Sequence, residues 1–176
     1  CTLHSKKRYE SAIENYQLAI DLDPHNPLYR RNIAGSFREL GDYEKAVLSY
    51  QEATYLDPLY ENDYGSWGYS LCELEQHGVD IRDYEKHIGN LSEFSLLYSR
   101  WGDRLRKYSK YEAAIEKYRQ AISLEPLDEN AYGGWGYSLY ELEQQGGDVQ
   151  AQQEYIGNTP QFAALYNGWG FALYGR

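Results

Sequence analysis

Residues 132–144, YGGWGYSLYELEQ, occur almost unchanged elsewhere in this chain of 176 residues. Residues 64–76, which lie 68 residues earlier, read YGSWGYSLCELEQ and differ at only two positions. Half of that distance also fits, because units of 34 residues place all four tryptophans at one position of the unit. Self-similarity with a period of this length is typical of repeat architectures. The sequence therefore predicts 34-residue units arranged in a 68-residue super-repeat.

Each unit carries the pattern of two helices. Apolar residues recur at steps of three and four between Tyr43 and Ala53, which predicts an amphipathic helix. Gly41 favours a stop and turn before it. Pro58 ends it, because the residue before a proline is disfavoured in the α region. The predicted unit is thus a helix, a tight turn, a second helix and a proline stop.

Two of the second helices depart from this pattern. They are predicted over residues 79–88 and 149–156, where Asp80 and Asp148 occupy the position of a small residue. We expect both helices to be shorter or shifted, since a charged side chain at a packing position opposes close contact.

Three stretches resemble the tetratricopeptide repeat (TPR), namely RYESAIENYQLAIDLDP (8–24), GDYEKAVLSYQEATYLDP (41–58) and SKYEAAIEKYRQAISLEP (109–126). The resemblance implies an all-α, TPR-type solenoid in which helical hairpins stack into a right-handed superhelix. Read this way, the whole chain 1–176 is a single solenoid. It comprises a half unit at 1–26 (second helix only), full units at 27–60, 61–94, 95–128 and 129–162, and a half unit at 163–176 (first helix only).

Composition excludes several functions. A net charge of −10 argues against nucleic acid and anionic membranes as partners, since both attract basic surfaces. No apolar run approaches the ~20 residues that a transmembrane helix needs. Two cysteines are too few for a disulfide framework. Cys1 fits a processed or lipidated start as well as a fragment boundary, so a secreted or cell-surface location is left open.

Residues with the spacing of a catalytic or metal site are absent from the sequence. The four histidines, His4, His25, His77 and His87, lack the spacings of zinc sites. Phosphate-binding glycine loops and nucleophile motifs are missing too. We therefore expect no enzyme activity, no cofactor and no metal.

The resemblance implies a concave groove, lined by the first helices, that binds a protein or peptide. Arginine side chains bind carboxylates and tyrosine rings stack on a ligand, so these residues predict an extended acidic ligand. The alternative is a solvated face whose tyrosines contact the neighbouring helix. The groove residues are predicted to be Arg31, Arg38, Asn62, Tyr69, Arg106, Lys107, Asn130, Tyr137, Tyr140, Phe171 and Tyr174.

The two ends of the chain are complementary in phase, because residues 7–176 number five times 34. One reading is head-to-tail stacking of copies, as in a structural subunit of an extracellular helical filament, since heterologous contacts that do not close build open polymers. The alternatives are a scaffold that acts through its groove and a fragment of a longer peptide-binding TPR protein. The predicted end faces consist of Tyr9, Ile13, Tyr16 and Ile20 at one end and Phe162, Leu165, Tyr166, Trp169 and Leu173 at the other.

Overall fold

The computed structural model describes residues 3–89, 92–150, 156 and 162–174. Within these residues the chain forms nine helices and no strand, which confirms the predicted all-α class. The helices are α1 (Leu3–Leu22), α2 (Pro27–Leu40), α3 (Tyr43–Leu56), α4 (Glu61–Gln76), α5 (Arg82–Glu85), α6 (Phe94–Lys107), α7 (Tyr111–Leu124), α8 (Glu129–Gln144) and α9 (Ala163–Tyr174).

The chain divides into two compact units. In unit 1, Cys1–Ile88, α1 packs on α2, α2 on α3 and α3 on α4. In unit 2, Gly89–Arg176, α6 packs on α7, α7 on α8 and α8 on α9. Helices that follow one another therefore pack side by side, as expected for stacked helical hairpins. The trio α2, α3 and α4 corresponds to the trio α6, α7 and α8 at the 68-residue offset.

The predicted start and stop signals are present at the helix ends. Asn26 caps α2 by accepting a hydrogen bond from the Leu28 N–H at 3.1 Å, and Pro27 occupies the first turn. Gly41 ends α2 in the left-handed conformation with φ 82°, and its N–H donates to the Arg38 carbonyl at 3.0 Å.

Helix α1 is longer than the apolar pattern predicts. The pattern starts at Tyr9, whereas the helix starts at Leu3. Lys6, Lys7 and Arg8 are good helix formers, and Lys6 lies 3.8 Å from the Glu10 carboxylate one turn later. The basic cluster therefore continues the helix, although it adds no apolar face.

Tryptophan fills the same core position in successive repeats. Trp67, Trp101 and Trp135 are all buried, while Trp169 is partly exposed. In unit 2 glycine lets the next helix come close. A Cβ added to Gly136 would overlap the Leu165 carbonyl. The backbones of α8 and α9 are therefore in direct contact.

The first of the two degenerate second helices is shortened as predicted. Helix α5 is a single turn, and the Asp80 carboxylate accepts a hydrogen bond from the Arg82 N–H at 3.1 Å before it. A local bond between an aspartate side chain and the backbone two residues later favours a turn over a continuous helix. Most of the second degenerate segment, 149–156, lies outside the described residues.

Replacing Ser109 with glycine should raise the free energy of unfolding by about 1 kcal/mol. Ser109 stands at the position equivalent to Gly41 and has φ 57°, a left-handed conformation that costs most L-residues roughly 1–2 kcal/mol and glycine almost nothing. Urea denaturation followed by circular dichroism measures the change. Gly41→Ser is the matched control and should destabilise by a similar amount. A Ser109→Gly protein no more stable than the wild type would contradict this account.

Candidate functional site

An arginine of one first helix lies over a tyrosine of the next first helix in each unit. In unit 1 the Arg38 guanidinium carbon is 5.7 Å from the centre of the Tyr69 ring. In unit 2 the Arg106 guanidinium carbon is 4.7 Å from the centre of the Tyr137 ring. Both distances fall within the range of favourable cation–π contacts. These two contacts, called the Arg/Tyr pairs below, occupy equivalent positions 68 residues apart.

A buried tyrosine supports the pair in unit 2. The Tyr118 ring is fully buried, and Cβ atoms added to Gly102 or Gly134 would collide with it. The Tyr118 hydroxyl donates to the Asp103 Oδ1 atom at 2.9 Å. Burial, together with the charge of Asp103, raises the pKa of Tyr118 above its ordinary value, so the hydroxyl stays protonated. The hydroxyl therefore fixes Asp103 close to Arg106.

The equivalent tyrosine of unit 1 is Tyr50, which is also buried. Burial raises the pKa of its hydroxyl, while the nearby Arg38 opposes that shift. Each Arg/Tyr pair thus has a protonated phenol close to its guanidinium group.

The two guanidinium groups keep part of their hydrogen-bonding capacity. Arg38 donates to the Glu39 carboxylate at 3.1 Å and to the Ser66 hydroxyl at 3.4 Å, and its side chain is 32% exposed. Arg106 is 30% exposed, and the Asp103 Oδ1 atom lies 3.8 Å from it. The Arg106 Nε atom is buried and has no hydrogen-bond partner among the described residues, so the exposed part of the side chain does not include it. Because a guanidinium carries five N–H donors, each group can accept a further anionic partner.

Arg31, also predicted to line the groove, is occupied by its own chain. Its Nε atom donates to both oxygens of Asp63 at 2.9 and 2.8 Å, and Nη2 reaches Asp57 at 3.2 Å. The guanidinium also stacks on the Tyr60 ring, 3.5 Å from its centre. Burial raises the pKa of Asp63, and the hydrogen bonds from Arg31 oppose that rise. Arg31 therefore holds the α2–α4 joint together.

Unit 2 joins the equivalent helices with hydroxyl groups instead. Asp128 caps α8 by accepting from the Ala131 N–H at 3.0 Å, and its other oxygen accepts from Ser95 at 2.9 Å and Ser99 at 2.8 Å. Ser99 and Ala131 stand where unit 1 has Arg31 and Asp63. Sequence analysis missed both carboxylates, although each lies within five residues after a proline stop.

The remaining groove residues differ in exposure. Asn62 and Asn130 are exposed in the first turns of α4 and α8, and Lys107 is exposed at the end of α6. Tyr140 is only 4% exposed, so it belongs to the core rather than to an open surface. The side chains of two further residues, Phe171 and Tyr174, lie outside the described part of the chain.

The predicted end face on α9 is partly covered. Leu165 is fully buried against α8. Phe162 packs edge-on against Tyr132 and Trp135, with ring centres 5.3 and 6.2 Å apart. Tyr166 is 50% exposed. Trp169 is partly exposed, and the Leu173 side chain lies outside the described residues.

At the other predicted end face, Ile20 is buried. Tyr9, Ile13 and Tyr16 are partly exposed along α1.

Other kinds of site find no support in the described part of the chain. None of its His, Cys, Asp and Glu side chains form a group of three that could hold a metal ion. None of its helices is long and apolar enough to cross a membrane.

Comparisons with known proteins point to one repeat family. A family model described as TPR repeat matches residues 2–35 and 102–143, and one described as tetratricopeptide repeat matches residues 32–58. Together these matches cover more than half of the chain. No curated protein matches the sequence.

Similar solved structures include the crystal structure of MamA protein. It is 19% identical, with 97% of this chain and 88% of that chain covered and a TM-score of 0.48. The human IFIT1 dimer with m7Gppp-AAAA is 18% identical, with 96% and 38% covered and a TM-score of 0.43.

Replacing Asp63 with alanine should lower the free energy of unfolding by about 3 kcal/mol, because Arg31, whose side chain is only 17% exposed, would lose its main partner. The double variant Arg31→Ser/Asp63→Ala copies the residues of unit 2 and should recover at least about 1 kcal/mol of that loss. Chemical denaturation of the single and double variants measures both values. A double variant as unstable as the sum of the two single variants would contradict the pairing.

Proposed function

Because the chain belongs to the tetratricopeptide repeat family, we propose that it is a non-enzymatic protein-interaction scaffold in which each Arg/Tyr pair binds an acidic peptide segment. The observation that carries this proposal is the recurrence of the pair in both units, at 5.7 Å for Arg38 and Tyr69 and at 4.7 Å for Arg106 and Tyr137.

The chemistry of the pairs suits a carboxylate ligand. A guanidinium binds a carboxylate through two parallel N–H···O bonds, which gives both energy and direction. Glu39 already accepts a single hydrogen bond from Arg38 at 3.1 Å, so the guanidinium is placed where a carboxylate can reach it. The tyrosine ring adds contact area at low cost in side-chain entropy.

The pairs are also held in place before a ligand binds. Tyr118 is anchored by its fit against Gly102 and by its bond to Asp103, whose carboxylate lies 3.8 Å from Arg106. A guanidinium that is already oriented loses less entropy on binding than a free side chain does.

Long-range electrostatics oppose an acidic ligand, because the chain carries a net charge of −10. The affinity must therefore come from close contacts at Arg38 and Arg106. Added salt screens the long-range repulsion over about 10 Å at 0.1 M, whereas contacts at the half-buried guanidinium groups are screened less. We therefore expect a weaker salt dependence than a fully exposed basic surface would show.

Head-to-tail association is the second mode of assembly that the sequence predicts. Two residues of the predicted end faces, Leu165 and Ile20, are buried within the chain. Tyr166 and Trp169 remain accessible. Light scattering over a concentration series separates the two modes, since stacking predicts a mass that grows with concentration and that Trp169→Arg reduces.

The double variant Arg38→Gln/Arg106→Gln should bind an acidic peptide at least about tenfold more weakly than the wild type, because hydrogen bonds to charged groups contribute roughly 1.5–3 kcal/mol each. Fluorescence anisotropy with a labelled peptide of eight Asp and Glu residues measures the affinity. The same peptide made of Asn and Gln is the ligand control.

Arg30→Gln is the matched protein control. Arg30 lies on the same helix as Arg38, but it pairs with Glu52 on α3 and belongs to neither Arg/Tyr pair. Its loss should change the affinity less than twofold. Equal binding of the acidic and neutral peptides, or full affinity of the double variant, would contradict the proposed function.

A further inference from the structure

Positive charge is concentrated in one hairpin of this acidic chain. Residues 94–124, which form α6 and α7, contain seven Lys and Arg and three Asp and Glu. The equivalent residues of unit 1, 26–56, contain four of each. The α6–α7 hairpin is therefore basic in a chain whose net charge is −10, whereas its counterpart is neutral.

The difference comes from charge reversals at the turn between the two helices. Lys107 stands at the position of Glu39, and Lys110 stands at the position of Asp42. Arg104 replaces the neutral Ser36. Two acidic residues and one neutral residue of unit 1 have thus become three cations in unit 2.

The acidic residues of unit 1 neutralise neighbouring cations. Glu39 accepts from Arg38 at 3.1 Å, and Asp42 pairs with Lys45 at 2.6 Å. In unit 2, Lys107 and Lys110 are exposed and make no ion pair within the described part of the chain.

An aromatic ring lies among these cations. Tyr108 is 40% exposed, and the Arg104 guanidinium carbon lies 5.0 Å from its ring centre. Arg104 also donates to the Tyr108 hydroxyl at 3.1 Å. The backbone of the turn is fixed, because the Lys110 N–H donates to the Leu105 carbonyl at 3.1 Å. The surface formed by Arg104, Lys107, Tyr108 and Lys110 is called the basic turn below.

We propose that the basic turn is a second interaction surface, which binds a short acidic segment of a partner protein. Unpaired lysines beside an oriented Arg–Tyr contact match carboxylates in charge, and tyrosine is enriched at protein interfaces. This inference does not rest on the Arg/Tyr pairs, since none of the four residues belongs to them.

The size of the surface favours a protein segment over a nucleic acid. A nucleic-acid strand carries a phosphate about every 3.4 Å, so even a short strand extends beyond a patch of three cations. The remainder of the chain is strongly acidic and would repel those further phosphates. A short acidic peptide segment can confine its charge to the patch.

The test uses the Arg38→Gln/Arg106→Gln protein, so that binding at the Arg/Tyr pairs is removed. In that background Lys107→Glu/Lys110→Asp introduces the acidic residues that unit 1 has at the equivalent positions, Glu39 and Asp42. We expect it to weaken binding of a labelled eight-residue peptide, in which three adjacent residues are Asp or Glu and the others are neutral, at least tenfold. The proposed function is tested separately, by the difference in peptide affinity between the wild type and the Arg38→Gln/Arg106→Gln protein.

Two further variants make the test specific. Lys6→Glu/Lys7→Asp changes the net charge equally but lies on α1, and it should alter the affinity less than twofold. Glu39→Lys/Asp42→Lys transfers the charges of the basic turn to unit 1 and should strengthen binding at least threefold. Circular dichroism confirms that each variant is folded.

Three results would overturn the inference. The first is a background protein that does not bind the acidic peptide at all. The second is a Lys107→Glu/Lys110→Asp protein with unchanged affinity, or with a loss no larger than that of Lys6→Glu/Lys7→Asp. The third is an eight-nucleotide single strand that binds the basic turn more tightly than the peptide does at the same salt concentration.

Discussion

The contact on which unit 2 depends is the fit of the Tyr118 ring against two glycines. Side chains at Gly102 or Gly134 would occupy the space of the ring, so in unit 2 both α6 and α8 lie closer to Tyr118 than a Cβ at these positions would allow. The hydroxyl of the same residue bonds to Asp103 at 2.9 Å, beside Arg106. One side chain therefore links the packing of three helices to the placement of a surface guanidinium. In unit 1, Tyr50 has the equivalent position, with Ala34 and Ser66 in place of the glycines.

Close packing at glycine also explains why the last helix, α9, is partly covered. At the α8–α9 crossing, Gly168 and Gly133 approach so closely that an added Cβ would lie 2.5 Å from a carbonyl oxygen. Leu165 is buried as a result. Backbone contact of this kind needs glycine on the packing face, because any larger residue separates the helices. Leu165, which the sequence predicts to lie on an open end face, is thus used for packing within unit 2.

The sequence was sufficient for the features that repeat. The tryptophan position, the stop at Gly41 and the shortened helix after α4 all follow from local patterns, because turn chemistry and helical periodicity act over a few residues. It was insufficient where contacts span repeats. Arg31 forms its ion pair with Asp63, which is 32 residues away in the sequence. The burial of Tyr140 depends on which neighbours cover it. Periodicity identifies an apolar face but not the element that packs on it.

For charged residues too, the sequence predicts some features and the structure is needed for others. The reversals at Lys107 and Lys110 can be read from the aligned repeats, but only the structure shows that both side chains are exposed and unpaired within the described residues. Arg38 and Arg106, by contrast, are half-buried beside phenol groups whose positions depend on core packing. Under the proposed function, the two arginines combine a fixed orientation with partial exposure, and carboxylate recognition requires both.

The most direct test of this account observes the guanidinium groups themselves. In a nuclear magnetic resonance titration of ¹⁵N-labelled protein with an acidic peptide, the Nε–H signals of Arg38 and Arg106 should each shift and then reach a plateau as peptide is added. The signal of Arg30, which pairs with Glu52, should stay in place. Saturable binding that leaves both the Arg38 and the Arg106 signals unmoved would contradict the claim that the Arg/Tyr pairs hold the ligand.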